Sequence, residues 1–269
     1  VLDGEDQFPD DGSRAFSVVT KGTLAFEDGW PSHDDYDFND LVVGYSFSRV
    51  TNSGGKLVEL NAHLELKAKG SSTAVGLGLA IPGLKQTDVK EAVVSQGSST
   101  AVGIEPGHGD AVVFRVVEDA MALLPAPKGC VTFNTDPKCT GLPPVIVDLT
   151  IRLKDGGIPI EVAGLPPFDP FIFAVADRGI EVHLPGHAPT ALANASYFGA
   201  NDDDSKAGHW YKSFCELPWA LDLPVDWAWP TEGTSLLDAY PAFEAWVESL
   251  GANSKDWYAH PVQARVFKP

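Results

Sequence analysis

The run from Val58 to Ala68 alternates almost without error. Val58, Leu60, Ala62, Leu64 and Leu66 point one way, and Glu59, Asn61, His63, Glu65 and Lys67 point the other. Period-two alternation of this length is a half-buried strand, because winding it into a helix would scatter the apolar groups around every side. The preceding Thr-Asn-Ser-Gly-Gly (51–55) supplies the positive-φ residues a hairpin needs. Before it, Asp40–Val50 places Leu41, Val43, Tyr45 and Phe47 on one face. This hairpin commits the chain to a sheet with one face in a core.

Further strands are expected over Ala74–Ile81, Ala111–Val117, Val145–Leu153, Phe171–Ala176 and Ile180–Leu184. Short strands separated by many of the 26 Gly and 21 Pro argue against a helical bundle. They predict a mostly β chain, an antiparallel β-sandwich of jelly-roll-like kind. The C-terminal third reads differently. Glu216–Pro230 is rich in Trp and Pro and is expected as irregular chain laid over the sandwich. One helix is predicted around Leu236–Leu250, with Leu236, Tyr240, Phe243, Val247 and Leu250 at helical spacing and Gly251 closing it. Pro241 must sit in the first turn of that helix or kink it.

Residues 1–14 read as an acidic lead-in linker, carrying Asp3, Glu5, Asp6, Asp10 and Asp11, and residues 15–269 as one domain. The chain begins with Val, carries a single Met (Met121) and shows no basic-then-apolar leader, as expected of a mature product or a piece of something longer. No apolar run approaches the roughly 20 residues that span a bilayer, so no membrane insertion is expected. With 37 Asp and Glu against 19 Lys and Arg, the formal net charge is -18. Nucleic acid and anionic membrane surfaces both want a basic patch and are excluded as partners. Cys130 and Cys139 sit close together in a loop-like stretch and are expected to form a disulfide in an oxidising compartment. Cys215 is expected to be a buried small hydrophobe.

The chemistry concentrates in Phe26–Val43, which packs six carboxylates and an Asn between Glu27 and Asp40. Carboxylates at that density repel unless a cation sits among them, and an oxygen-seeking ion such as Ca2+ is the natural choice. Asp35, Asp37 and Asn39 match the opening D-x-D-x-N of an EF-hand loop. The match then fails, with Asp40 at the turn glycine and Ser46 at the closing Glu. In an extended chain Asp35, Asp37 and Asn39 share a face while Tyr36 and Phe38 turn to the core. Asp40 joins them if the backbone turns, and Glu27 and Asp28 close the shell. The expected metal set is Glu27, Asp28, Asp35, Asp37, Asn39 and Asp40. A second patch, Asn201–Ser205, either holds another cation, presents acceptors to a ligand, or is a solvated loop that caps the next element. His183 and His187 flank Pro185 and Gly186, a turn rather than a zinc-binding helix, and are read as structural. Nucleophile-elbow, P-loop, C-x-x-C and dinucleotide signatures are absent from the sequence.

Several motifs together resemble the LruC-domain family of bacterial secreted and outer-surface proteins, whose shared region is a domain of unknown function. They are Phe26–Val43, Arg178–Gly186 with Pro189-Thr190, Leu217–Ala220, Asp238–Trp246 and Asp256–Tyr258. Where relatives commonly have Gly before the Asp-Tyr-Asp triplet, this chain has Asp34, which adds an oxygen and removes a flexible turn residue. The resemblance implies an exported β-rich domain, extracellular or on the outer cell surface, carried on a larger surface protein. A D-x-D-x-N-D-L element is similar to one in calcium-dependent ligand-binding modules of bacterial adhesins. Together these imply a calcium-dependent binding module for a glycan or peptide on a cell or matrix surface. Trp30, Asp34, Asp203 and Arg178 are the expected ligand contacts. The alternatives are a secreted glycoside hydrolase with structural calcium and a calcium-stiffened spacer.

Overall fold

The computed structural model describes residues 6–268, so Asp3 and Glu5 of the lead-in lie outside the described residues. The strands are β1 (Phe16–Phe26), β2 (Leu41–Thr51), β3 (Lys56–Ala68), β4 (Val75–Lys85), β5 (Val89–Gln96) and β6 (Ser98–Ala101). They continue with β7 (Ala111–Val117), β8 (Val145–Leu153), β9 (Ile158–Pro159), β10 (Asp169–Ala174), β11 (Glu181–His183) and β12 (Ala220–Leu223). One sheet runs β12-β1-β2-β3-β8-β5-β6, with β9 added beside β3, and the other runs β11-β10-β4-β7. Every pairing is antiparallel. The mostly β, two-sheet architecture is as expected.

The main core fills the space between the sheets. Leu41, Val43, Tyr45 and Phe47 of β2 and Leu60, Ala62, Leu64 and Leu66 of β3 meet Leu77, Leu79 and Ile81 of β4 and Phe114 of β7. The predicted hairpin is present, its turn closed by Asn52, whose Oδ1 accepts from Gly54 and Lys56. A register shift between Val50 and Thr51 alters the start of β3, where Leu57 joins Leu60 in the core and Glu59 is buried on the opposite face beside Asn61. Arg152 and Arg14 approach Glu59 at 3.3 and 3.6 Å, which ties the described part of the lead-in to the sheet.

A second core lies on the opposite face of the larger sheet. Ala25, Val42 and Ala68 are covered there by Trp227, Trp229, Tyr240, Phe243 and Trp257 from the C-terminal region. This layer explains why Val42, outward by alternation, is fully buried, and the register shift between Val42 and Val43 carries Ala68 onto the same face. The single predicted helix is instead two, Leu236–Ala239 and Ala242–Glu248. Pro241 offers no N–H and forces Tyr240 out of the helical region, to φ -133 and ψ 75.

Cys130 and Cys139 form the expected disulfide. Cys215, in contrast, is exposed. It sits at the tip of a turn in which the Ser213 N–H donates to Leu217 O, and that turn carries it away from the core.

Candidate metal centre

The acidic segment is the connection between β1 and β2, and its ends are fixed by the sheet. Phe26 pairs with Leu41, so Glu27 and Asp40 leave the last rung of the ladder side by side. The loop between them is not extended. Asp34, Tyr36 and Phe38 have φ of 50, 58 and 54°, so alternate residues are left-handed. That coiling corrects the strand-like picture while keeping its consequence. Tyr36 and Phe38 pack edge to face at 4.8 Å in the second core, and Asp35, Asp37 and Asn39 turn the other way. Burial of each aromatic ring, worth about 2–3 kcal/mol, anchors a loop whose charges alone would push it open.

Carboxylate oxygens of Glu27, Asp35 and Asp37 lie within 4.8 Å of one another. Two ligands on opposite sides of a calcium ion, each at about 2.4 Å, stand about that far apart. Glu27, Asp37 and Asn39 are at most 1% exposed, whereas Asp35 is open to solvent. One Glu27 oxygen accepts from the Phe38 N–H, but its Oε2 is buried without a hydrogen-bond partner among the described residues. The same holds for Asn39 Oδ1 and Asp28 Oδ2. Buried acceptors without donors are costly, and Glu27 Oε2 and Asn39 Oδ1 beside the converging carboxylates are what a cation would satisfy.

The charges confirm the strain. Burial, with Asp40 and Asp37 adding repulsion, pushes Glu27 well above the ordinary carboxylate range. Burial and Asp35 push Asp37 up to about 8, although the Gly233 and Asn39 N–H groups oppose the shift. Asp40 is raised by burial and by Asp28, and Asp35 by burial and Asp34.

Asp28 and Asp40 form a separate lobe. The Asp28 N–H donates to Asp40 Oδ2 at 2.7 Å, and the charge of Lys69 favours the ionised form of both against their burial. Lys69 is 3% exposed, and burial lowers its pKa against the pull of Asp28 and Asp40. The Lys69 ammonium donates to Ser71 O, and among the described residues no salt bridge reaches Glu27, Asp35 or Asp37. Of the six expected ligands, Glu27, Asp35 and Asp37 converge with Asn39 beside them, while Asp28 and Asp40 are joined to each other through the Asp28 N–H.

Sequence reasoning missed the lid. The Gly233 N–H donates to Asp37 Oδ2 at 2.8 Å, and Asn39 Nδ2 donates to Pro230 O at 3.2 Å. Glu232, raised by burial and by Asp35, is held by Thr135 Oγ1 at 2.6 Å. A Cβ on Gly70 would lie 1.7 Å from Asn39 Oδ1 and 2.9 Å from Glu232 Oε2, so both oxygens crowd that glycine. Nothing near Glu232 in sequence signals this role; its place is set by the fold.

The expected ligand contacts fare differently. Trp30 is 3% exposed and packs against Phe198 and Tyr211, so no ring face is free for a sugar. Its Nε1 donates to Asp203, which is fully buried and also accepts from Gly199 and Ser205. Asp203 thus closes a loop. Arg178 holds Glu105 with two nitrogens and Glu181 with a third, over the rings of Phe171 and Phe173. Trp30 and Asp203 are internal, and Arg178, a fifth exposed, has all three of its nitrogens engaged by Glu105 and Glu181. Asp34 is exposed beside the centre. Its left-handed backbone is the geometry glycine adopts freely, so Asp34→Gly is expected to raise stability by about 1 kcal/mol, read in chemical denaturation with calcium present.

Fold and centre together define a two-sheet, mostly β domain with a buried oxygen-rich cluster closed by its own C-terminal layer. The chain matches a domain of unknown function, DUF4842, over residues 55–258 and belongs to that family. No curated protein matches it. Its fold is similar to the crystal structure of a putative lipoprotein from Bacteroides ovatus, with a TM-score of 0.72 and 23% identity, covering 94% of this chain and 76% of that one.

Proposed function

We propose that this chain is a calcium-dependent, extracellular ligand-binding module in which the ion is a staple rather than the recognition element. The observation that carries the calcium reading is the pair of buried, unpartnered oxygens, Glu27 Oε2 and Asn39 Oδ1, at the three converging carboxylates. Glu27, Asp35, Asp37 and Asn39 would hold the ion, with Glu232 closing the shell. Only Asp35 of the converging acids is open to solvent, which favours a scaffold over direct coordination of a sugar or peptide. The staple joins distant parts: the Leu236 N–H donates to Tyr36 O beside the Gly233–Asp37 bond, fastening the C-terminal layer to the sheet.

An extracellular setting is supported by the disulfide, by the LruC-type motifs and by the fold likeness to a protein described as a lipoprotein. A glycan or peptide ligand follows from the resemblance to adhesin modules. No polar cluster among the described residues favours a hydrolase over this reading.

The test is thermal melting of chelated protein against calcium. At 100 to 1,000 times Kd, calcium is expected to add about 3–4 kcal/mol. For a chain of this size that is roughly 10 °C in midpoint. An unchanged midpoint at millimolar calcium would remove the ion from the account.

A further inference from the structure

A cleft of about 340 Å3 opens beside β12, between the turn after β11 and the C-terminal helices. Trp246 and Tyr258 stand half-buried in its wall, so each keeps some ring surface within reach of a bound molecule. Trp246 is steadied from behind by Phe243, stacked at 5.6 Å and 27°. Three polar side chains complete the lining: Asp222, His187 and Lys255.

Two of these are held in place by groups outside the cleft. Tyr45 donates its hydroxyl to Asp222 Oδ1 at 2.8 Å, and Oδ2 makes no hydrogen bond among the described residues. His187 Nδ1 lies 3.4 Å from Asp169, which is 3% exposed, and the imidazole is still 37% exposed. Lys255 has no ion-pair partner among the described residues. The cleft therefore offers an oriented acceptor, a buttressed imidazole, a free ammonium and two aromatic surfaces. A small concave site with aromatic walls and a few convergent polar groups is the usual form of a small-ligand site.

We propose that this cleft binds a neutral, hydroxyl-rich sugar residue. Its C–H face would lie on Trp246 or Tyr258. Its hydroxyls would donate to Asp222 Oδ2 and accept from Lys255 or His187. A net charge of -18 repels anionic polysaccharides and leaves neutral sugars favoured. The inference rests on reading the chain as a binding module, and it places recognition away from the calcium centre.

Calorimetry on the calcium-saturated protein tests it, with hexaoses of glucose, mannose and N-acetylglucosamine as probes and hexagalacturonate as the anionic comparison. At least one neutral hexaose is expected to bind with Kd of about 10 μM to 1 mM. Trp246→Ala is expected to weaken it about tenfold or more, and Asp222→Asn and Lys255→Ala about fivefold each. Asp222 and Lys255 are exposed, so their variants report even if Trp246→Ala folds poorly. No binding by any neutral hexaose overturns the proposal, as does tighter binding of hexagalacturonate or binding unchanged in all three variants. If calcium leaves the melting point unmoved while a neutral hexaose binds through these residues, the calcium reading falls and the cleft stands.

Discussion

Asp37→Asn is expected to stabilise the calcium-free protein and to abolish its response to calcium. In the absence of an ion the Asp37 carboxyl is pushed to about 8 from an ordinary 3.8, first by burial and then by Asp35. A carboxyl raised on folding favours the native state below its unfolded pKa and loses that advantage as pH rises through its folded value. The chelated wild type should therefore be most stable near pH 4–5 and weaken steadily toward pH 8. Holding one such charge at pH 8 costs a few kcal/mol. The amide carries none of it, though it gives up one of the two N–H bonds from Gly233 and Asn39, worth about 1 kcal/mol. A net gain of about 1–3 kcal/mol at pH 8 in chelator remains, shrinking toward zero by pH 5. Melting curves at both pH values, with and without calcium, read it directly. A variant that is weaker than wild type in chelator at pH 8, and still gains from calcium, would show that Asp37 is neither strained nor a ligand.

Arg178→Met is expected to cost about 2–3 kcal/mol, because it takes the guanidinium from between two buried carboxylates and leaves Glu181 to His183 and Thr190 and Glu105 to His108 and Arg115. Glu181 is fully buried and Glu105 is 7% exposed. Burial pushes the Glu181 carboxyl up, but His183, Thr190 and Arg178 outweigh it and hold it at about 2. A carboxyl lowered on folding contributes stability above its unfolded value near 4.5 and loses it as pH falls toward 2. The variant should thus differ most from wild type near neutral pH and converge on it in acid. Arg178→Lys should recover only part of the loss, since one ammonium cannot replace the three nitrogens that reach two carboxylates. Urea unfolding at pH 7 and pH 3 separates these outcomes, and a loss below about 1 kcal/mol at pH 7 would mean the network is dispensable.

The parts of the fold that could be read from sequence are those where one face is wet and the other dry. Leu60–Leu66 and Val145–Leu153 alternate because only one of their faces meets the core, and both form strands at the predicted places. β1 escapes because Val18 and Val19 are both more than half exposed and the following Thr20–Gly22 blurs the pattern. β12 escapes because four residues between Pro218 and Pro224 carry too little periodicity, and pairing with β1 alone defines it. At the centre, the acids are contiguous and announce themselves. The lid does not, because Gly233 reaches Asp37 from 196 residues away and Glu232 is held beside it by Thr135, itself distant in sequence. Trp30 misled for a related reason: a tryptophan beside acids looks like a sugar platform until the fold supplies Phe198 and Tyr211 to bury it.

The bridge between Cys130 and Cys139 closes the loop that carries Thr135. Thr135 both accepts the Glu232 N–H at its carbonyl and donates its hydroxyl to the Glu232 carboxylate. On the proposed calcium reading, thiol oxidation and ion capture converge on one side chain. A newly made chain in a reducing, calcium-poor cytosol would lack both the bond that shapes this loop and the charge that reconciles the acids beneath it. Maturation of the centre would then be a timed event, completed after the chain reaches a compartment that supplies the two together.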